Sequence, residues 1–197
     1  MSSATAGVIG AVLLGAGFST RFGSDKRLHN FNGNTVAEET LTAYAQVFTD
    51  IRVVVRATDH ALVDKLAAFD TQTIIAADAH LGMGHSLAAG CKNLAWNWAF
   101  VGLLDMPFVL PATLLKLRDT AGATQRPGIV CPMVAGRDRS RFGHPVGWHR
   151  DYFDELSTSS GDEGARSILA RHKDCIISVG VDDEGIYRDI DVPADIA

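Results

Sequence analysis

Long apolar runs, a basic excess and a cysteine framework are all missing from this chain of 197 residues. Each absence removes a class of function. No segment approaches the roughly 20 consecutive apolar residues that a membrane-spanning helix needs. Lysine and arginine number 18 against 23 aspartates and glutamates, a formal charge of −5. The chain therefore has no overall positive charge with which to displace counterions from nucleic acid. Cys91, Cys131 and Cys175 are odd in number and widely spaced, which fits neither disulfide pairs nor a metal-ligand motif. They read as free thiols in a reducing compartment. The opening MSSATAG lacks the basic start and apolar stretch of a secretory signal, so the expected location is the cytoplasm. No repeat, low-complexity tract or linker is present. One domain is expected over residues 1–197, with only residues 1–6 loosely ordered.

What the chain does hold is a regular alternation of two patterns. Hydrophobic residues make up 47% of it, enough at this length for a well-buried core. Short apolar runs at 7–14, 51–56, 73–77, 100–104, 128–133 and 174–179 read as strands. The stretches 36–48, 59–69, 85–98, 111–121 and 164–172 read as helices, the fourth with Pro111 at its permitted first turn. Apolar strands separated by helices of this length predict βαβ units, hence a mostly parallel sheet covered on both faces. In such a sheet ligands sit beyond the carboxyl ends of the strands. That brings the loop after Leu14 and the sequence LDMP together at one edge.

The loop reads LLGAGFSTRFGSDKRL from Leu13 to Leu28, rich in glycine and in cations. A dinucleotide fingerprint fails, because Thr20 stands where the third glycine belongs. A P-loop fails too, with one residue too many between Gly17 and Gly23 and Ser24 in the lysine position. The pattern that remains sets Arg21, Gly23 and Lys26 at fixed intervals after Gly15 and Gly17. Backbone N–H groups of such a turn form a concave anion nest. Arg21 can fork onto phosphate oxygens, and Lys26 can supply a point charge. A glycine-rich turn with solvated cations would look the same in sequence.

The loop resembles the signature of the nucleotidyltransferases that include the molybdenum cofactor cytidylyl- and guanylyltransferases, and within them the cytidylyl branch. Four further stretches carry the resemblance. GMGHSL at 82–87 matches a motif at a helix start, with Ser86 otherwise readable as an N-cap. LDMP at 104–107 ends a central strand. GHP at 143–145 and GDEGAR at 161–166 match acceptor-side motifs. DIDVPAD at 189–195 matches the family's close, with Val192 in place of a threonine.

The resemblance implies a three-layer α/β/α, Rossmann-like nucleotidyltransferase fold. Leu14, Gly15, Ala16, Gly17, Ser19, Arg21, Lys26, Gly82 and Ser86 become candidates for nucleotide binding. Arg21, Lys26 and Asp105 become candidates for catalysis, and Asp105 with Asp191 for Mg²⁺, Asp189 being the rival second ligand. His144 and Asp162 become candidates for acceptor contact, though a turn histidine and a helix cap are the plain alternatives. The implied partners are a nucleoside triphosphate, a molybdopterin-type acceptor and a molybdoenzyme apoprotein, with neither nucleic acid nor membrane. CTP is favoured because Ala16 stands where guanylyl enzymes have glycine, whereas Gly15 departs from the family's alanine. Arg137, Arg139 and Arg141 ahead of GHP suit either a solvated loop or a phosphorylated acceptor. Two other readings stay open: transfer to a sugar or alcohol phosphate, and delivery of a bound cofactor without turnover.

Overall fold

Strand β1 (Ile9–Leu14) is an interior strand, third of the seven in the main sheet. In the computed structural model, which describes residues 7–18, 22–134 and 141–196, it pairs in parallel with β4 (Ile51–Val55) on one side and β6 (Trp98–Leu103) on the other. Beyond β4 lies β5 (Gln72–Ile75), also parallel. Beyond β6 come β8 (Val146–His149), β7 (Ile129–Val134) and β9 (Ile176–Val181), giving seven strands in the order β5-β4-β1-β6-β8-β7-β9. Only β8 runs against its neighbours. The mostly parallel sheet expected from the sequence is therefore present. The short strand VGWH was missed, because four residues carry too little alternation to show.

Successive residues of the central strands face opposite layers, as the pleat demands. Leu13, Val53 and Phe100 pack with α1 (Val36–Ala45), α2 (His60–Leu66) and α4 (Pro111–Ala123) through Leu41, Tyr44, Leu62, Leu114 and Leu117. Val12, Val54 and Ala99 pack on the other face with α3 (Met83–Cys91), α5 (Phe153–Ser157) and α6 (Arg166–Arg171) through Leu87, Leu156 and Ile168. The result is three layers, α/β/α. Cys91 and Cys131 are buried free thiols, which burial pushes up to about 12. No helix of the described residues is long and apolar enough to cross a membrane.

Local signals explain most boundaries. Thr35 and Glu38 form a reciprocal capping box at the start of α1. Asn32 and Gly33, both at positive φ, turn β2 (Asn30–Phe31) into β3 (Asn34–Thr35) as an Asn-Gly hairpin. The helix expected over 85–98 is shorter and starts earlier: α3 stops at Cys91, where Lys92 turns to extended backbone and Asn93 follows at φ 55. Trp98 belongs to β6 instead.

Candidate active site

The register of the sheet sets Leu14 opposite Leu103, so the chain leaves β1 and β6 side by side. β1 has neighbours of separate connectivity on its two sides, which makes this the switch point where open α/β sheets hold ligands. A cleft of about 560 Å³ opens there. Its lining includes Leu14, Gly15, Ala16, Gly17, Lys26, Gly82, Ser86, Asp105, Asp162, Asp189 and Asp191. Five separated stretches of sequence thus meet at one place. Ser19 and Arg21, named above with them, lie outside the described residues.

Lys26 is the centre of the cleft's electrostatics. Only 8% exposed, it places its Nζ 2.6 Å from Asp105 Oδ2 and 3.2 Å from Asp191 Oδ1. Burial pulls its pKa down, but the two carboxylates outweigh that and hold the ammonium above its ordinary value. Burial pushes the Asp105 carboxyl up against the pull of Lys26, and nearby Asp189 adds to the push. Asp105 Oδ1 is buried with no hydrogen-bond partner among the described residues.

The C-terminal segment reaches the cleft because Ile190 plugs a small apolar cluster with Phe22 and Val36. Its N–H donates to the Asp105 carbonyl at 3.0 Å. Fixing Ile190 inward leaves Asp189 and Asp191 on either side of it to line the cleft. Asp195 secures the next turn by accepting from the N–H groups of Asp191 and Val192.

Gly82 opens α3 at φ 120, a conformation that favours glycine. The close fit of 160–162 against it is a second reason: a Cβ on Gly82 would lie 2.4 Å from the Gly161 carbonyl, and one on Gly84 2.5 Å from the Ser160 backbone. That contact carries Asp162 to the cleft. Ser86 is buried inside the helix and caps nothing; of the N-cap alternative only the glycine before it holds, since Gly82 is the residue at the cap. Asp162 is no cap either, since α6 begins at Arg166 with Ala165 before it.

Gly15 also has a packing reason. A Cβ there would lie 2.6 Å from Leu104 Cδ2 and 3.1 Å from the Val54 carbonyl. Gly15→Ala is expected to cost about 1–3 kcal/mol through this overlap, read as a fall in the thermal midpoint. Leu104→Val in the same background should recover part of it. Gly17, by contrast, has nothing among the described residues within 4 Å of an added Cβ and lines the cleft.

His144 stands apart from this group, at the wall of a second cavity of about 870 Å³ that meets the first at Leu103 and Asp189. Burial lowers its pKa, against the influence of a hydrogen bond with the Val101 backbone and of Asp105 and Asp189. Its Nδ1 is buried without a partner among the described residues. The same cavity carries the cations Arg141, Arg166 and Lys173. Arg137 and Arg139 lie outside the described residues.

Sequence reasoning overlooked Arg27, Asp25 and Asp59. Arg27, 2% exposed, was counted among the loop's cations but is enclosed in ion pairs with Asp25 and Asp59. An acidic residue two positions before it was the only sequence signal.

Residues 11–175 match the model of the MobA-like NTP transferase domain, which is most of the chain. The chain belongs to that family. No protein of curated function matches its sequence. Among solved structures, Rv0371c from Mycobacterium tuberculosis H37Rv superposes at a TM-score of 0.80 and 26% identity, over 97% of this chain and 96% of that one. It has also been solved in complex with manganese. A nucleotidyl transferase from Methanothermobacter thermautotroptrophicus matches at 0.80 and 21% identity, covering 95% and 94%. Molybdopterin-guanine dinucleotide biosynthesis protein A from Archaeoglobus fulgidus matches at 0.64 and 19%, covering 96% and 95%. At those last two identities the likeness concerns the fold, which is that of Rossmann-like nucleotidyltransferases.

Proposed function

We propose that this MobA-like nucleotidyltransferase moves a cytidylyl group from CTP to a phosphorylated, molybdopterin-type acceptor and releases pyrophosphate. The observation that carries the reading is the Lys26 ammonium held between Asp105 and Asp191, inside the cleft that Gly15, Gly17, Gly82 and Ser86 line.

In this reading an acceptor phosphate oxygen attacks the α-phosphorus and the bond to the β-phosphate oxygen breaks. The electron pair leaves with pyrophosphate. The acceptor phosphate is already ionised at neutral pH, so no side chain has to remove a proton. Attacker and target are both anions, and the protein's work is alignment and charge neutralisation. Gly15, Ala16 and Gly17 offer backbone to the triphosphate, and Leu14 and Ser19 are assigned to the same ligand. Gly82 and Ser86 hold the nucleotide from the α3 side. Lys26 and Arg21 offset charge growing on the pyrophosphate.

A divalent cation fits the residues present. The unpartnered Oδ1 of Asp105 and the carboxylate of Asp191 are hard oxygen donors, with Asp189 as a further candidate. Among the described residues no three side chains form a ready metal cage, and Mg²⁺ commonly takes one or two carboxylates together with substrate phosphates. The manganese complex of Rv0371c agrees with this chemistry. When bound, such an ion would polarise phosphate oxygens and neutralise their charge.

On the acceptor side, Asp162 at the cleft and His144 in the adjoining cavity are the contacts assigned, and Arg141, Arg166 and Lys173 suit an anionic acceptor. Delivery of the product to a molybdoenzyme apoprotein completes the reading, with the cytoplasm as its place.

The test is pyrophosphate release with CTP, GTP or ATP and Mg²⁺, with and without reconstituted molybdenum cofactor. Release is expected with CTP only when the cofactor is present. Release with sugar or alcohol phosphates alone would transfer the assignment to those acceptors. Cofactor binding without release would make the protein a delivery module. The Ala16 methyl, 3% exposed on the cleft wall, is assigned to base choice. Ala16→Gly should raise the use of GTP relative to CTP by roughly tenfold, the scale of one methyl-sized change in a pocket.

A further inference from the structure

We propose that Arg27 is a positioning residue for the nucleotide loop, holding the backbone at Gly15 and the turn that bears Lys26 at a set separation by joining both to Asp59. The inference rests on the nucleotidyl-transfer reading for the loop's ligand. Arg27 uses all five of its N–H donors, the whole inventory of a guanidinium. Its Nε donates to Asp25 Oδ1 at 2.7 Å, and Nη2 donates to Asp25 Oδ2 at 2.5 Å and Asp59 Oδ1 at 2.7 Å. Nη1 donates to Asp59 Oδ2 at 2.6 Å and to the Gly15 carbonyl.

The three acceptors occupy telling places. Gly15 is the first residue after β1, where the loop begins. Asp25 caps the single turn Lys26–Leu28, where the loop ends, accepting from the Arg27 N–H at 3.1 Å. Asp59, 6% exposed, precedes α2 and is not among the cleft's lining residues. One buried cation thus ties both ends of the loop to the scaffold.

Asp59 reaches the tip of the loop as well. It accepts from Arg56 Nη2 at 2.6 Å, and the Arg56 guanidinium lies over the ring of Phe18, 5.0 Å from its centroid. Phe18 is 51% exposed on the cleft rim. With no donor left over, Arg27 acts on a ligand through the loop and not by contact. Lysine carries its donors on one nitrogen and cannot span Gly15, Asp25 and Asp59 together.

The test uses Arg27→Lys, with Asp25→Asn as a second variant because Asp25 is partly exposed. Two quantities are measured well below the thermal midpoint. One is amide exchange without ligand at Gly15, which donates to Val54, and at Leu28, which donates to Asp25; the other is CTP affinity by calorimetry. Exchange at both sites at least tenfold faster, with CTP binding at least tenfold weaker, is the expected result. In the double variant CTP affinity should fall no further than in Arg27→Lys. Exchange and affinity within twofold of wild type in either folded variant would overturn the proposal, since a merely stabilising ion cluster would lower the midpoint and leave both alone. Faster exchange in a protein whose wild type binds no CTP, GTP or ATP would uphold the clamp and overturn the nucleotide reading instead.

Discussion

Lys26→Ala is expected to lower the rate of pyrophosphate release by roughly 10²-fold or more, the scale of removing one preorganised charge-stabilising group. The ammonium is the cation that stands between Asp105 and Asp191, at 2.6 and 3.2 Å. Without it the cleft presents carboxylates to an incoming triphosphate, and like charges then oppose both binding and transfer. The Asp105 carboxyl, already pushed up by burial, rises further once its counter-charge has gone. Lys26→Arg restores charge but not the compact shape that fits between two carboxylates, so recovery should be partial. Asp105→Asn is expected to lose activity on a similar scale, because it removes a hard oxygen while leaving the shape of the cleft. A rate within threefold of wild type for either Lys26→Ala or Asp105→Asn would remove the central observation on which the functional reading stands.

The second large effect concerns stability. Asp59→Ala is expected to lower the free energy of unfolding by about 3–5 kcal/mol, as happens when one partner of a buried ion pair is removed. That is a large share of the roughly 5–15 kcal/mol typical of folded domains. Asp59 accepts from Arg27 and Arg56 together, and its loss leaves Arg27 buried with two of its five donors unmatched. Urea unfolding measures the difference.

The same carboxylate sets an acid limit. Burial would push Asp59 up, but hydrogen bonds from Arg27 and Arg56 outweigh it and hold its pKa at about 2, against an ordinary 3.8. A folded value below the unfolded one favours folding wherever the unfolded group would be ionised. The contribution is therefore fully present above 3.8 and is lost as the pH falls through about 2. The stability difference between wild type and Asp59→Asn should be largest above pH 3.8 and shrink towards pH 2.

Much of the fold was legible because it depends on near neighbours. IGAVLL and IRVVV are apolar enough to be strands buried on both faces, and Pro111 marks the start of α4. The helix expected over 85–98 went wrong at the Lys92–Asn93 turn, where an extended residue and a left-handed one end it without any periodic signal. β8 was invisible for its length. In the site, it was the resemblance of the glycine loop with Lys26, of LDMP and of the DID segment to the family's motifs that pointed to residues which line one cleft. The sequence could not tell Arg27 from Lys26, adjacent cations with opposite uses. Both border the cleft, but every Arg27 donor is taken by Asp25, Asp59 and the Gly15 carbonyl, whereas Lys26 places its ammonium between Asp105 and Asp191.

The amino-acid order alone determined the layer architecture and the family, because strand hydrophobicity, helix starts and short motifs are local properties of the chain. Which charges meet was decided only by the tertiary structure. Asp191 comes within 3.2 Å of Lys26 from 165 positions away, since Ile190 must bury itself beside Phe22 and Val36. Asp59 captures Arg27 because β1 and β4 are hydrogen-bonded neighbours. Such pairings follow from the packing of distant segments, and no window along the chain contains them.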